Sequence, residues 1–307
     1  GGLRWARAQD PGQAPVFECV KNVRDLASVR NSPVKPGRVL RAACLGTASP
    51  NDEGVILGTV KTLVDLRSEQ EYAGDTIKYN STIFDEYDTL FYTVERGKSG
   101  RTKTLIPNSV AAAGGRTRHL LSVIDESIYK RGVFKKLSLK KKVKAGIYLG
   151  VSMVRARKVF LDYINAAGLP LLNELILDYG GASIKAVLDV LADKANHPVA
   201  FYCTAGKDRT GLVAMLVLST LGVDDESIVS DYVLSDSVYR DLNDSDAMVG
   251  ALQQQQLDPE RFLRAPRSVM DATMRLLRDE YGGPKAYLDR IGFGADDRER
   301  LRRALCE

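Results

Sequence analysis

The amino-acid sequence predicts an α/β protein, with a central and mainly parallel sheet flanked by helices. The short apolar run from Pro198 to Tyr202 is typical of a buried strand, and Leu63, Val64 and Leu66 indicate a second one. The long apolar run from Leu212 to Leu221 predicts a core helix, which Gly222 would cap at its carboxyl end. The strand–loop–helix order around residue 203 is that of an open α/β sheet.

The elements on either side follow from hydrophobic period, capping residues and breakers. Strands are predicted over residues 16–20, 37–41 and 81–84. Helices are predicted to begin at Asn51 and to cover 119–129, 151–166, 171–179, 184–195, 224–234, 268–281, 284–291 and 296–305. Residues 93–118, rich in Gly, Ser, Arg and Ala, are predicted to form a loop or a flexible insertion.

Length and composition describe an ordinary globular chain. Its 307 residues suffice for one large domain or two small ones, and 44% hydrophobic with 27% charged residues is usual for a soluble protein. Residues 1–15 are predicted to be a disordered tail and 16–307 a single domain, because no repeat or linker stands out. No run approaches the ~20 apolar residues of a membrane span.

The four cysteines show neither a CxxC pair nor the spacing of a disulfide scaffold. A reducing compartment is expected, because the chemistry argued below depends on a free thiolate. That compartment is the cytoplasm, or an organelle if a targeting segment has been removed, which the start at Gly1 without Met leaves open. His119 and His197 match no ligand pattern, so neither a metal nor another cofactor is predicted.

The most informative stretch runs from Phe201 to Gly211 and reads F-Y-C-T-A-G-K-D-R-T-G. It places Cys203 at the end of a predicted strand and Arg209 at the start of a predicted helix. The chain must turn sharply between them, and Gly206 tolerates the positive φ that such a turn needs. Backbone N–H groups in the turn can form an anion nest, to which the amino end of the helix adds its dipole.

A phosphate held in this nest would meet both Arg209 and Cys203. The planar guanidinium can bind two phosphate oxygens at once. The same positive field favours the thiolate form of Cys203, and a thiolate beneath a bound phosphate is a nucleophile directed at phosphorus. The alternative is that Cys203 is only a small buried hydrophobe at a strand end.

The spacing C-x5-R followed by Thr210 resembles the signature of cysteine-dependent protein tyrosine phosphatases. The string C-T-A-G-K-D-R-T-G is similar to the branch that includes mycobacterial protein tyrosine phosphatase B and a Listeria lipid phosphatase. The resemblance covers Phe17 to about Asp236 and, more weakly, the C-terminal helices. It implies a tyrosine-phosphatase-like fold, and substrates among phosphotyrosine, phosphoserine or phosphothreonine proteins and phosphoinositides. One departure is Tyr202, where relatives carry a His that supports the loop.

A phosphatase of this kind needs an acid to protonate the leaving group. The resemblance implies that Asp208, within the loop, is that acid. Other tyrosine phosphatases take the acid from a separate mobile loop, so Asp65 and Asp85 are alternatives. A further reading is that Asp208 only pairs with a backbone N–H group or with Arg24.

Further residues of the loop are assigned to substrate binding: Thr204, Ala205, Gly206, Lys207 and Thr210. Lys207 is expected at the mouth of the pocket, where its ammonium offers a point charge to a second phosphate; the alternative is a solvated loop lysine. Thr210 could donate a hydrogen bond to the departing thiolate, or it could cap the helix.

Two strings outside the loop also resemble the family: N-V-R-D-L-A at 22–27 and D-L-R-S at 65–68. Arg24 and Asp25 either brace the active-site face or form a surface turn. Asp65 ends a predicted strand, and open α/β sheets bind ligands outside the carboxyl ends of their strands. Asp65 is therefore a candidate for substrate binding, with a structural ion pair to a nearby Arg as the alternative.

Positive charge is concentrated in residues 130–144. Eight Lys and Arg occur there without an acid, and removing them from the formal charge of +5 leaves −3. The segment is either a solvated face or a surface for an anionic partner, such as a membrane or a polyphosphorylated substrate. Since helices inserted near this place form a lid in the family, about 119–166 is predicted to be a helical, lid-like insertion. Nucleic acid is not expected as a partner, because no binding motif for it is present.

The predicted function is hydrolysis of phosphate monoesters through a cysteinyl-phosphate intermediate. Two other classes stay open. A phosphate-binding module with weakened catalysis would suit the change at Tyr202. A sulfur-transfer or arsenate-reducing enzyme uses the same type of loop, but Cys19, Cys44 and Cys306 show no spacing that suggests a resolving cysteine.

Overall fold

A computed structural model describes residues 17–73, 78–79, 81–96, 103–109, 115–124, 126–240 and 257–307. The strands in these ranges are β1 Arg24–Asp25, β2 Val39–Ala42, β3 Thr62–Asp65, β4 Asp88–Leu90, β5 Tyr92–Arg96, β6 Lys103–Pro107, β7 Thr117–Leu120 and β8 Val199–Tyr202. The helices before the Cys203 loop are α1 Pro50–Thr59, α2 Glu69–Tyr72, α3 Glu126–Lys136, α4 Leu139–Leu149, α5 Met153–Tyr179 and α6 Gly181–Leu191. Those after it are α7 Asp208–Thr220, α8 Asp225–Arg240, α9 Pro259–Leu263, α10 Arg267–Tyr281, α11 Pro284–Arg290 and α12 Ala295–Cys306.

The central sheet has the strand order β1-β2-β8-β3-β7-β4. Only the edge strand β1 runs antiparallel to its neighbour, and the other four pairings are parallel. The remaining strands, β5 and β6, form a separate antiparallel pair. The α/β class with a mainly parallel sheet is thus confirmed. Because β8 is central, the loop that follows it leaves the carboxyl edge between β2 and β3.

Strand β8 shows why the sheet is covered on both faces. Val199 and Phe201 pack into the larger core, built with α5 to α8 and the C-terminal helices. Ala200 and Tyr202 point the other way, into a smaller core with α1. Alternate residues of a strand face opposite sides, and all four are buried, so the strand is apolar throughout.

Several local predictions are wrong, and buried polar groups explain the main one. Strand β7 was not predicted, because its residues Thr117, Arg118 and His119 are polar. In the structure all three are buried, and the strand lies between β3 and β4. The predicted loop over 93–118 therefore contains β6, most of β5 and the start of β7, and the helix predicted over 119–129 begins only at Glu126. Residues 81–84 form no strand; a 3-10 helix covers Ile83–Glu86.

At the amino end, the described residues of the predicted strand 16–20 lie instead against the start of α1. The N–H groups of Glu18, Cys19 and Val20 donate to the carboxylate of Asp52 at 2.8–3.0 Å. Ser49, rather than Asn51, caps α1, with Asp52 as the reciprocal partner of a capping box. The predicted disordered tail, residues 1–15, lies outside the described residues.

Helices α3, α4 and the first half of α5 lie in the part of the chain, about 119–166, that was predicted to be a helical, lid-like insertion. Gly168, at φ +61°, interrupts α5 where the break at Gly168 to Pro170 was predicted. The first residues of the proposed 119–166 insertion belong to β7 in the central sheet, so its helical part begins at α3. Its role as a lid stays a prediction. None of the helices in the described ranges has both the length and the apolar character that crossing a bilayer requires.

Candidate active site

The loop between β8 and α7 turns within the five residues from Cys203 to Lys207. Its tightest point is Gly206, which has φ +62°. A Cβ atom there would lie 2.4 Å from the carbonyl oxygen of Ala42. Only glycine satisfies both the backbone angle and this close approach to β2.

Groups outside the loop hold its carbonyl oxygens. The Asn22 side chain donates to the oxygens of Ala205 (3.0 Å) and Gly206 (2.9 Å). The Arg41 guanidinium also donates to Gly206, at 2.8 Å, and the N–H group of Cys44 donates to the Thr204 oxygen at 3.1 Å. Groups outside the loop thus fix three of its carbonyl oxygens, those of Thr204, Ala205 and Gly206, and with them the turn in which an anion nest can form.

Two of the side chains that hold the loop, Asn22 and Arg41, are connected to each other through Arg24 and the buried carboxylate of Asp231 on α8. Asp231 accepts from Arg24 Nε at 2.6 Å and from Arg41, while Arg24 also donates to the side-chain oxygen of Asn22. Burial alone would raise the pKa of Asp231, but the charges of Arg41 and Arg24 outweigh it and lower that pKa. Burial and the neighbouring Arg24 lower the pKa of Arg41 to about 10, so Arg41 stays charged at neutral pH.

The segment 22–27 therefore supports the Cys203 loop, but Asn22 and Arg24 do so rather than the expected pair of Arg24 and Asp25. Arg24 acts through Asn22 and Asp231, as described above. Asp25 faces elsewhere, since its carboxylate accepts the N–H groups of Ala27 and Gly37 and caps a short 3-10 helix. Sequence reasoning did not single out Asn22 or Asp231 as supports of the loop, because their partners lie far away along the chain.

Cys203 and Arg209 lie where the sequence placed them. Cys203 directly follows β8 and is buried, and Arg209 is in the first turn of α7. Burial alone would lower the pKa of Arg209, but the Cys203 sulfur and the Glu71 carboxylate together raise it above the usual value. Arg209 also donates to Thr204 Oγ1, on the residue next to Cys203, at 3.2 Å, so its guanidinium lies over the start of the loop.

Glu71 is a site residue that sequence reasoning missed. Its two carboxylate oxygens receive Arg209 Nη1 and Nη2 at 2.6 Å each, a bidentate pair, and Thr204 Oγ1 donates to the same carboxylate at 2.7 Å. The N–H group of Ser68 donates to it as well, at 2.9 Å. Burial opposes ionisation, yet the hydrogen bonds and charge of Arg209 prevail and lower the pKa of Glu71 to about 2.

A sequence signal for Glu71 did exist. Ser68-x-x-Glu71 follows a strand and reads as a capping box, and this motif orients the carboxylate at the start of α2. What it could not reveal is the partner, Arg209, which lies 138 residues further along the chain.

Glu71 should therefore act as a positioning residue for Arg209. Replacing Glu71 with Ala is expected to lower kcat for para-nitrophenyl phosphate by about 100-fold, since a small misplacement of a binding group costs about that much. Glu71→Gln keeps the shape and one acceptor, so it should lose less than about tenfold. Steady-state kinetics of both variants, beside Glu69→Ala on the exposed side of the same helix, check this. Equal rates for Glu71→Ala and Glu69→Ala would contradict it.

Asp208 is the first residue of α7 and directly precedes Arg209. Its carboxylate accepts from the Tyr232 hydroxyl at 3.2 Å and lies 3.3 Å from the Lys207 ammonium. The side chain is 15% exposed, so solvent reaches it. The alternative prediction was that Asp208 pairs with a backbone N–H group or with Arg24. The contacts that the structure shows are instead those with Tyr232 and Lys207.

Lys207 is not at the mouth of the pocket. Only 2% of the residue is exposed, and its ammonium donates to the carbonyl oxygens of Phe262 (2.9 Å) and Arg264 (2.7 Å). The prediction that Lys207 lies at the mouth of the pocket is therefore wrong. Its ammonium is bound instead by two carbonyl oxygens at the end of α9. Lys207 joins the loop to α9.

Thr210 lies inside α7, which begins two residues before it, so it is not the helix cap. Its hydroxyl is buried and has no hydrogen-bond partner among the described residues. A buried hydroxyl without a partner costs free energy, which favours a role for it once an anion or a departing thiolate is present.

Asp65 is fully buried and already satisfied. It accepts from Arg67 (2.8 Å), Arg118 (2.7 Å) and the Tyr202 hydroxyl (3.0 Å). The structure thus favours the alternative of a structural ion pair over substrate binding. Tyr202 completes this cluster by accepting from Arg118 Nε at 3.1 Å. Tyr202 therefore supports the centre of the sheet through Asp65 and Arg118.

A cysteine and an arginine six residues apart, joining a central parallel strand to a helix, define the class of cysteine-dependent tyrosine phosphatases. A sequence model described as "Tyrosine phosphatase family" matches residues 15–307. The chain therefore belongs to that family.

Individual relatives match shorter parts of the chain. A tyrosine-protein phosphatase of Nostoc commune is 30% identical over 164 residues, covering 50% of this chain and 56% of the relative. The triple specificity protein phosphatase PtpB of Mycobacterium tuberculosis is 31% identical over 138 residues, 40% of this chain and 48% of the relative. The chain thus spans about half the length of the curated relatives it matches.

Proposed function

We propose that this protein hydrolyses phosphate monoesters through a cysteinyl-phosphate intermediate at Cys203. One observation carries the proposal: a buried cysteine begins a loop whose carbonyl oxygens are held from outside, and Glu71 orients Arg209 in the helix that follows the loop. A structural cysteine would need none of these braces. The family and the names of its relatives support the same activity.

The first step is attack of the Cys203 thiolate on phosphorus, with departure of the alcohol or phenol oxygen. Asp208, as the protonated acid, gives its proton to that oxygen. The N–H groups of the loop and Arg209 bind the equatorial oxygens, on which transition-state charge is spread. Three N–H donations of Arg209 go to Glu71 and Thr204, so two of its five remain for phosphate.

The second step is attack of water on the phosphorus of the intermediate. The Asp208 carboxylate accepts the water proton, the S–P bond breaks, and inorganic phosphate leaves. The Thr210 hydroxyl, which has no partner among the described residues, would donate to the Cys203 sulfur as its negative charge returns. Thr204, Ala205, Gly206 and Thr210 are therefore proposed as the phosphate-binding residues; Lys207 is proposed to fix the loop.

The role of Asp208 can be tested by the dependence on the leaving group. Asp208→Asn is expected to slow hydrolysis of phenyl phosphate by roughly 100-fold or more, because a poor leaving group requires the proton. For para-nitrophenyl phosphate, whose leaving group departs without one, the loss should be far smaller. Comparison of kcat for the two esters checks this, with Asp85→Asn, on an exposed 3-10 helix, as control.

If Asp85→Asn rather than Asp208→Asn shows the dependence on leaving group, the acid comes from a separate segment and the assignment to Asp208 fails. If neither variant shows it, hydrolysis proceeds without an acid from either position.

Substrates are proposed to be phosphotyrosine, phosphoserine and phosphothreonine proteins or phosphoinositides. The printed name of the mycobacterial relative, a triple specificity protein phosphatase, supports the protein substrates. A parallel assay on three matched phosphopeptides and a phosphoinositide panel, scored as kcat/KM, tests the choice. A preference of more than about 100-fold for phosphotyrosine would argue for a narrow pocket and against the broader range.

The proposed activity itself is tested against a binding module without catalysis. The purified protein is incubated with para-nitrophenyl phosphate, and phosphate release is followed beside calorimetric binding of inorganic phosphate. Many turnovers per chain are expected. Binding of phosphate without turnover would reject the catalytic proposal and favour the phosphate-binding module.

A further inference from the structure

Exposed apolar side chains gather on one part of the molecule. Thirteen large apolar side chains are exposed among the described residues, and eight of them lie between 134 and 154. Scattered single residues of this kind are normal on a protein surface, but a contiguous group marks a surface for interaction.

Six of these residues, which we call the apolar ridge, are each between 55% and 77% exposed: Leu139, Val143, Ile147, Val151, Met153 and Val154. The first three are spaced four residues apart on α4 and so share one face. The others continue the ridge over the turn into α5. On the side of α4 that packs against α5, Ala145 is 1% exposed, so the ridge is the outer face of this pair.

The ridge is surrounded by positive charge. From residue 127 to 161 the chain carries eleven Lys and Arg and no Asp or Glu. On α4, Lys140 and Lys144 lie on one flank of the apolar face and Lys142 on the other, at the spacing of helical turns. Within the described part of the chain, no carboxylate lies within ion-pair distance of these three, whereas Lys136 pairs with Glu174 at 2.6 Å.

We propose that the apolar ridge and its flanking lysines bind the surface of an anionic bilayer. An amphipathic helix with an apolar face and a lysine-rich polar face lies in the plane of a membrane interface. Helix α4 has 11 residues and is thus ~16 Å long, too short to span the ~30 Å hydrocarbon layer. The lysines would contact anionic headgroups while the ridge enters the boundary with the acyl chains. A protein partner would need an acidic rim of matching shape around an apolar centre, whereas anionic lipid supplies both features.

Vesicle flotation tests the proposal. The probes are vesicles of phosphatidylcholine alone and with ~30% phosphatidylserine, which at that level carry a negative surface potential. We expect the full chain to bind the anionic vesicles at least about tenfold more tightly, and less at high salt. Val143→Ser with Ile147→Ser should lower that binding by at least about tenfold, and Lys140→Gln with Lys144→Gln by a similar factor. Binding needs no turnover, so it is measured on Cys203→Ser as well, and failure of the catalytic proposal would leave this result intact.

A matched control is available on the separate β5–β6 pair. Val94→Ser with Ile106→Ser removes apolar side chains of which Val94 is as exposed as Val143, at 55% each. This variant should bind vesicles like the wild type, and the three surface double variants, at Val143 with Ile147, Lys140 with Lys144 and Val94 with Ile106, should hydrolyse soluble para-nitrophenyl phosphate at the wild-type rate. Failure of the wild type to bind anionic vesicles, or an equal effect of the two apolar pairs, would overturn the proposal. So would a self-associated wild type that becomes monomeric in Val143→Ser with Ile147→Ser, with no vesicle binding in either, since the ridge would then cover a second copy.

Discussion

Replacing Cys203 with Ser should reduce kcat/KM for para-nitrophenyl phosphate by at least ~10⁴-fold, the range seen when a catalytic nucleophile is removed. The hydroxyl of Ser is a far weaker nucleophile than a thiolate, and no base near it is proposed to activate it. The loop and Arg209 remain, so inorganic phosphate should still bind. Phosphate release and phosphate binding by calorimetry, measured on the same preparation, check both halves of this result.

The control for that variant is Cys19→Ser, because Cys19 is a free cysteine on the surface. It should retain full activity. Activity of Cys203→Ser within tenfold of the wild type would remove the nucleophile assignment. Loss of both binding and catalysis, together with a lower melting temperature, would instead indicate that Cys203 serves the fold.

Replacing Asp231 with Ala should destabilise the protein by about 3–5 kcal/mol, the usual cost of removing one partner from a buried ion pair. Arg41 is fully buried and Arg24 nearly so, and both would lose their counter-charge. The Gly206 carbonyl that Arg41 holds would lose its orientation as well, so activity should fall further than stability alone explains. Urea unfolding, followed with activity at a denaturant concentration where both proteins are folded, measures the two effects.

Asp225→Ala is the matched control on the same helix. Its carboxylate pairs with Arg278 at 2.7 Å, but both side chains are more than half exposed, so its loss should cost less than about 1 kcal/mol. Asp231→Asn, which keeps the shape without the charge, serves if the Ala variant does not fold. A cost for Asp231→Ala equal to that of Asp225→Ala would show that the buried pair does not hold the site together.

The sequence was most informative where the function depends on contiguous residues. Cys203, Gly206, Asp208 and Arg209 lie in one short string, and local rules for strands, turns and helix starts suffice to place them. The same rules predicted the break at Gly168 and the three C-terminal helices. In each case the cause of the conformation lies within a few residues of its effect.

The supports of the site could not be predicted in this way, because they come from distant segments. Asn22 reaches Ala205 across 183 residues, and Glu71 reaches Arg209 across 138. The residues near Asn22 and near Glu71 in the sequence do not indicate which distant residue each one binds. Interpretation of the hydrophobic pattern also failed at β7, where the buried Arg118 pairs with Asp65 on the neighbouring strand at 2.7 Å. Polar residues in a strand that is buried on both sides remove the apolar signal on which strand prediction depends.

Lys207 illustrates a third kind of failure. A loop lysine beside a phosphate site is expected to face solvent or ligand. The residues next to Lys207 in the sequence indicate no other position for its side chain. Here two carbonyl oxygens, of Phe262 and Arg264, replace water around the ammonium. Lys207 was predicted to bind substrate, but its tertiary contacts connect the loop to α9 instead.

The most direct test of the account is to trap the intermediate. The protein is mixed with excess para-nitrophenyl phosphate, quenched in acid within the first turnover, digested and mapped by mass spectrometry. The peptide that contains Cys203 should carry one added phosphoryl group, about 80 Da, through a sulfur–phosphorus bond. Rapid hydrolysis with no phosphoryl group on that peptide, or with the group on a different residue, would contradict the mechanism.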